Sequence, residues 1–183
     1  MVLGDQERVL VRQRLVEDTL CGKRFRISSK SFYQVNPSQT EVLYSRALQM
    51  AGLSGKERVL DAYCGIGTIS LIAADKAQEV IGVELNRDAV KDAIGNAKQN
   101  NTKNVRFFCD DAGHFMTEMA ARGEKVDVVF MDHRETEAMK HFAVSMPIEA
   151  KEGSLYFLQP TDSEKGFENP DSRWISGERN SAG

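Results

Sequence analysis

From Gly55 onward, short apolar runs alternate with longer stretches whose apolar positions recur at helical spacing. The runs Arg58 to Ala62, Glu79 to Val83, Val105 to Cys109 and Val126 to Met131 predict strands. Between them, Thr68 to Lys76, Arg87 to Asn100 and Ala112 to Ala121 predict helices. Such βαβα order implies a parallel sheet with helices on its faces, joined by right-handed crossovers. The expected fold class is therefore α/β and Rossmann-like. Ahead of it, Val9-Leu10-Val11, Phe25-Arg26-Ile27 and Phe32-Tyr33-Gln34-Val35 are β-branched or aromatic runs, with a turn at Cys21-Gly22-Lys23, which predicts a hairpin leading into an extended segment. Asn36-Pro37-Ser38 then opens a helix whose apolar side carries Val42, Leu43, Ala47 and Met50 and which ends near Gly52. Beyond Asp132 the alternation stops. The chain divides into a β-rich lead-in (residues 1–36), a partial cofactor-binding domain (37–132) and a tail (133–183) expected to be irregular.

With 183 residues and 41% hydrophobic content, the chain can build the core of one domain. A net charge of −3 supplies no global attraction to nucleic acid, so any RNA contact has to be local. Arg8, Arg12, Arg14, Lys23, Arg24, Arg26 and Lys30, against Asp5, Glu7, Glu17 and Asp18, form either such a patch or the solvated face of a small sheet. No apolar run reaches membrane-spanning length and Met1 to Arg14 has no signal-peptide core, so a cytoplasmic protein without membrane partners is expected. Cys21, Cys64 and Cys109 lack metal-site spacing, and the expectation is reduced thiols with no zinc or iron–sulfur cluster.

The chemistry concentrates in Val59-Leu60-Asp61-Ala62-Tyr63-Cys64-Gly65-Ile66-Gly67-Thr68. A buried strand running through a glycine-rich turn into a helix makes a nucleotide-type cradle, because Gly65 and Gly67 let backbone approach a ligand. Asp61 can hold a ligand amine or an ordered water. Glu84, at the tip of the next strand, is placed to accept both ribose hydroxyls; the alternative is a helix-start carboxylate near Asn86 and Arg87. A dinucleotide fingerprint needs a third glycine where this chain has Ser70, and an acidic residue ahead of the glycines suits a cationic ligand better than a diphosphate. S-adenosylmethionine is the favoured cofactor. Asp111 can accept from the adenine amino group or cap a helix.

Four motifs in order, Ser31-Phe32-Tyr33-Gln34-Val35-Asn36-Pro37, Asp61 to Thr68, Gly82-Val83-Glu84-Leu85-Asn86 and Val128-Val129-Phe130-Met131-Asp132, resemble the RumA/TrmA-type RNA (uracil-C5)-methyltransferases, in particular the branch acting on 23S ribosomal RNA. The resemblance covers about residues 1–132. It implies a class I methyltransferase fold, here incomplete in its C-terminal half and preceded by a small β-hairpin segment. It also implies that Gln34, Tyr63, Glu84 and Asp132 hold the methyl donor, and that the partner is RNA. In that family a cysteine thiolate adds to uracil C6, C5 then attacks the donor methyl, and a base removes the C5 proton. The family's Asp-Pro-Pro-Arg substrate motif, its Ser-Cys-Asn-Pro nucleophile and its glutamate base are not legible. His133-Arg134 follows Asp132, and no cysteine follows Cys109. Cys64 lies in the cofactor loop and Cys109 ends a core strand; no partner defines His114, His133 or His141 as a base. The expectation is a chain that keeps donor binding and lacks catalysis.

Codon phase accounts for the departure. Joining the third base of each codon from Asp132 to Phe142 to the first two of the next permits Pro-Pro-Arg-Asn-Gly-Ser-Asp-Glu-Ala-Phe, which restores the substrate motif. From about Glu149, the other shifted frame permits Lys-Pro-Lys-Arg-Val-Val-Tyr-Ile-Ser-Cys-Asn-Pro, with the cysteine arising at Leu158-Gln159. Two single-base losses are inferred, which makes residues 133–183 out-of-frame translation. They also leave the strand Val126 to Met131 as an apolar edge, with Leu155-Tyr156-Phe157-Leu158 the one apolar run of the tail that can pair there. Two other readings stay open: a methyltransferase for another substrate class, and a non-enzymatic RNA-binding or interaction module built on the basic hairpin.

Overall fold

The structure, a computed structural model, describes residues 15–28, 37–131 and 154–157. A hairpin of β1 (Leu15–Leu20) and β2 (Lys23–Ser28) turns at Cys21 and Gly22, both with positive φ. It leads to α1 (Pro37–Ala51), then β3 (Arg58–Ala62), α2 (Thr68–Ala73), β4 (Glu79–Glu84), α3 (Arg87–Gln99), β5 (Val105–Cys109), α4 (Ala112–Ala121), β6 (Val128–Met131) and β7 (Ser154–Phe157). The five strands of the central sheet lie in the order β5-β4-β3-β6-β7 and all pair in parallel. The expected α/β Rossmann-like fold is present. No described helix is long and apolar enough to cross a membrane.

Parity along the strands sorts their side chains into two layers. Val59, Val80, Val128 and Phe130 face a cluster with α1, α2, α3 and the hairpin, whose Leu20 and Phe25 are fully buried in it. Leu60, Ala62, Ile81, Val83, Val129 and Met131 face the opposite way, onto Ala112, Phe115, Met116 and Met119 of α4. Buried on both faces, these strands read as nearly continuous apolar runs rather than alternating ones, as parallel strands do. The lower rim of the sheet is tied by Arg58, which donates through Nε to Glu79 at 3.0 Å and through Nη2 to Glu124 at 2.8 Å, while its backbone N–H donates to Asp127 at 2.7 Å.

The hairpin is seated by polar contacts from α3. Ser28 Oγ donates to Asp92 at 2.6 Å, Arg26 N–H to Asn96 Oδ1 at 2.8 Å and Arg24 N–H to Asn100 Oδ1 at 2.9 Å. Four residues of helix advance about 6 Å and two residues of strand about 6.6 Å, so one stripe of α3 stays in register with the outer edge of β2 over three rungs.

The partner expected for β2 needs correction. The hairpin pairs β2 with Leu15–Leu20, not with a run at Val9 to Val11, which lies outside the described residues. In the tail, the apolar run expected to be able to pair with β6 does so: Ser154–Phe157 pairs with it in parallel, placing Leu155 opposite Val129 and Tyr156 opposite Phe130. An unpaired apolar strand leaves backbone donors and acceptors without partners, and β7 supplies them along one side of β6. The rest of the tail, and the segment Phe32 to Val35, lie outside the described residues.

The turn into β3 generates a test. The Glu57 carboxylate accepts from Ser54 N–H at 2.7 Å, Ser54 Oγ at 2.5 Å, and the Gly55 and Lys56 N–H groups at 3.1 Å each. These donors, the Ser54 hydroxyl foremost, lower its pKa from 4.5 to about 2. A carboxyl whose pKa is depressed on folding adds stability above its unfolded value and loses it as pH falls through the folded value. Glu57→Gln is expected to be less stable than wild type at pH 6, with the difference shrinking between pH 4.5 and about 2 in urea titrations. A pH-independent difference would show that the turn does not draw on the charge.

Candidate cofactor site

β3 is the strand from which the chain goes outward to β4 and β5 and to whose other side it later returns as β6. The crevice at such a reversal, beyond the carboxyl ends of the strands, is where open α/β sheets bind ligands. The loop Tyr63–Gly67 leaves β3 there. Tyr63, Gly65 and Gly67 all take positive φ, at 66°, 55° and 81°. For a tyrosine that conformation costs about 1 kcal/mol or more, a cost that the loop's other contacts hold in place. Cys64 N–H donates to Val83 O at 3.0 Å, Gly67 N–H to Cys64 O at 2.9 Å and Gly65 N–H to Glu84 at 3.0 Å. These N–H groups build the loop.

A row of paired residues crosses the sheet below it: Phe107, Gly82, Asp61 and Phe130. The Phe107 ring lies across Gly82 and Gly67, so closely that a Cβ would meet it at 2.5 Å and 2.8 Å respectively. Asp61 is 1% exposed and receives a short hydrogen bond from Ser70 Oγ on α2. The position where a dinucleotide fold carries glycine thus holds a hydroxyl with a buried carboxylate to satisfy. Beside that carboxylate, Cys64 is buried and its thiol pKa is pushed well up, first by desolvation and then by Asp61 and Glu84.

Glu84, half-buried at the end of β4, accepts from Gly65 N–H through Oε2 and from Asn86 N–H at 2.8 Å through Oε1. One N–H to each oxygen leaves a carboxylate with further lone pairs for a diol, since it can accept about four hydrogen bonds. The helix start is capped instead by Asn86, which accepts from Asp88 and Ala89 N–H, so Glu84 is not the capping group. Asp111 does cap α4, accepting from His114 N–H at 2.9 Å, and its charge also acts on Tyr63, whose hydroxyl pKa rises mainly through burial and secondarily through Asp111. Tyr63, Glu84 and Asp111 therefore share one rim, with Gly65 and Gly67 behind them and Asp61 buried beneath. A Cβ at Gly65 would meet no described atom within 4 Å, so the backbone of the loop is open on that side. Gln34 and Asp132 lie outside the described residues.

His114 sits on the exposed first turn of α4, 3.2 Å from Asp110, and this hydrogen bond together with the charges of Asp110 and Glu118 raises its pKa. These partners describe a surface ion pair. His133 and His141 lie outside the described residues. Phe107 and Ser70 are the site-forming residues that sequence reasoning missed; a glycine midway along β4 was the available signal for the close approach of a ring.

A family described as a methyltransferase domain matches residues 53–156. An uncharacterized RNA methyltransferase of Halalkalibacterium halodurans is 47% identical over 132 residues, 72% of this chain and 29% of the relative. One of Listeria innocua is 46% identical over the same shares. The chain spans less than a third of the length of these curated relatives. Among solved structures, the Pyrococcus abyssi tRNA (uracil-54, C5)-methyltransferase in complex with S-adenosyl-L-homocysteine is similar with a TM-score of 0.62 and 21% identity, covering 80% of this chain and 35% of that one. At that identity the likeness speaks for the fold.

Gly82→Ala tests the packing under the loop. The added methyl would sit 2.5 Å from the Phe107 ring and 2.9 Å from Cys64 Sγ. Overpacking of this kind costs about 1–3 kcal/mol, and urea denaturation is expected to show that loss together with faster modification of the Cys64 thiol. Unchanged stability would mean that the ring moves aside freely.

Proposed function

We infer that this chain, which belongs to the methyltransferase-domain family, is the S-adenosylmethionine-binding part of an RNA (uracil-C5)-methyltransferase of the 23S ribosomal RNA branch. One observation carries the cofactor assignment: the Glu84 carboxylate stands at the switch-point rim, held by Gly65 N–H and Asn86 N–H, beside the glycine turn that leaves β3. The residues present fit a nucleoside with a ribose diol. Bound there, S-adenosylmethionine supplies an electrophilic methyl group on a sulfonium. Glu84 receives the ribose hydroxyls, Tyr63 packs beside the ligand, and Asp111 accepts from the adenine amino group while still capping α4. Gln34 and Asp132 complete the set by their places in the motifs. Asp61, buried and bonded to Ser70, holds the loop from below.

RNA as substrate is supported by the RNA methyltransferases to which the chain is 44–47% identical, and uracil C5 by the four motifs in order. Such a substrate places the protein in the cytoplasm. Uracil C5 becomes nucleophilic only after a thiolate adds at C6. Cys64 is buried, and burial first and the Asp61 and Glu84 carboxylates second raise its thiol pKa, which is the opposite of thiolate activation; Cys109, at the end of β5, donates to Leu85 O. The chain by itself is therefore read as a donor-binding unit, with residues 37–132 as its cofactor domain.

Calorimetry with S-adenosylhomocysteine tests the first half. Glu84→Gln keeps an acceptor for the loop but removes the charge, and hydrogen bonds to a charged group contribute about 1.5–3 kcal/mol, so a loss of about tenfold or more in affinity is expected. Equal affinity would remove Glu84 from the ribose. Radiolabelled donor incubated with unmodified 23S RNA tests the second: no incorporation above a protein-free control is expected, and transfer would show that a thiol or base has been overlooked.

A further inference from the structure

Asn96 is the one fully buried amide of α3, and its side chain joins the hairpin to the loop Tyr63–Gly67. Its Oδ1 accepts from Arg26 N–H, and its Nδ2 donates both to Arg26 O and to Ile66 O, each at 3.2 Å. Arg26 belongs to the hairpin, and Ile66 is the residue between Gly65 and Gly67. The neighbouring rung is different in kind: Asn100 grips Arg24 through both of its amide atoms, at 2.9 Å and 2.6 Å, and its remaining bond goes back to Asn96 O within the helix. Of these two rungs, that of Asn96 reaches the loop.

We propose that Asn96 is a positioning residue that couples the β1–β2 hairpin to the donor loop, so that a ligand settling on Gly65–Gly67 also fixes the hairpin, and a displaced hairpin loosens the ligand. The physical reason is that a buried amide left without a partner is costly. If the Ile66 carbonyl moves, Asn96 Nδ2 must follow it or lose that bond, and following it shifts both contacts with Arg26. Coupling between sites is reciprocal, so each end reports on the other. The hairpin's outward face carries Arg24 and Arg26, the charges through which a polyanion would be felt at the loop. The proposal rests on reading Gly65–Gly67 as the donor loop.

Amide exchange of the full chain, followed by NMR with and without S-adenosylhomocysteine, is the test. In wild type the ligand is expected to slow exchange at Gly65 and Gly67 and also at Arg26, the latter by at least about fivefold, the lower end of measured site-to-site coupling. Asn96→Asp keeps the acceptor for Arg26 N–H but has no donor for Arg26 O or Ile66 O. It is expected to bind S-adenosylhomocysteine about tenfold more weakly and to lose the ligand's effect on Arg26. Asn100→Ala frees Arg24 without touching the loop, and should retain wild-type affinity within about twofold and the ligand effect on Arg26. Should Asn96→Asp fail to fold, the wild-type and Asn100→Ala measurements decide alone. Wild type that binds the ligand while Arg26 exchange stays unchanged would overturn the coupling; wild type that does not bind it at all would overturn the donor-loop reading, and the coupling with it.

Discussion

A carboxylate buried to 1% exposure beneath the loop is the constraint on which the rest is built. Asp61 lies on the face of the sheet otherwise lined by Val59, Val80 and Phe130, and an uncompensated charge there would cost several kcal/mol. Ser70 supplies a hydroxyl from the first turn of α2, which fixes where that helix starts relative to β3. With both ends of the connection pinned, the five residues between them have to turn sharply, and three of them enter the left-handed region. Gly82, paired with Asp61 on the adjacent strand, leaves the space into which Phe107 leans, and the ring in turn supports Gly67. Buried charge, helix start, loop conformation and aromatic support form one chain of dependence.

The same dependence explains which parts were legible in advance. Strands β3, β4 and β5 are short apolar runs because both faces are covered, and their bounds come out within a residue of the sequence reading. The second helix stops at Ala73, three residues before its expected end, because Asp75 and Lys76 fold back onto Ile72 and Ala73 carbonyls rather than continuing the helical pattern. β1 was missed since Leu15-Val16-Glu17-Asp18-Thr19-Leu20 looks like no strand: Val16 points to solvent, Glu17 pairs with exposed Arg26, and Leu20 enters the core. The asparagine rungs of α3 were illegible for a different reason. Asparagine in a helix reads as a weak helix former, and its partners here stand 70 and 76 positions away.

At the rim, a glycine pair after a buried strand and an acid at the next strand tip are local features, and the structure joins them through the bond from Gly65 N–H to Glu84. Asp111 was legible as two competing roles, and the structure shows the capping one while leaving the side chain exposed. Nothing local could have announced that Tyr63 would adopt positive φ, since that follows from what lies on either side of it.

β7 poses the question of how a segment that departs from the family pattern can still sit beside β6. On the out-of-frame reading, Ser154–Phe157 spans codons that in the shifted frame belong to the Val-Val-Tyr-Ile run ahead of the nucleophile motif. Leu, Tyr and Phe in the translated frame and Val, Tyr and Ile in the shifted one are all residues that tolerate a pleated, half-buried surface. Parallel pairing asks little more of a four-residue strand: its backbone bonds are indifferent to side chain, and the partner, Val128–Met131, is apolar at every position. A short run of apolar residues at the right distance along the chain is then enough to cover the edge, whereas a nucleophile or a base needs one particular side chain at one particular place. On that reading, loss of frame removes chemistry well before it removes the sheet: β6 is paired along the side that β7 covers, while no cysteine follows Cys109.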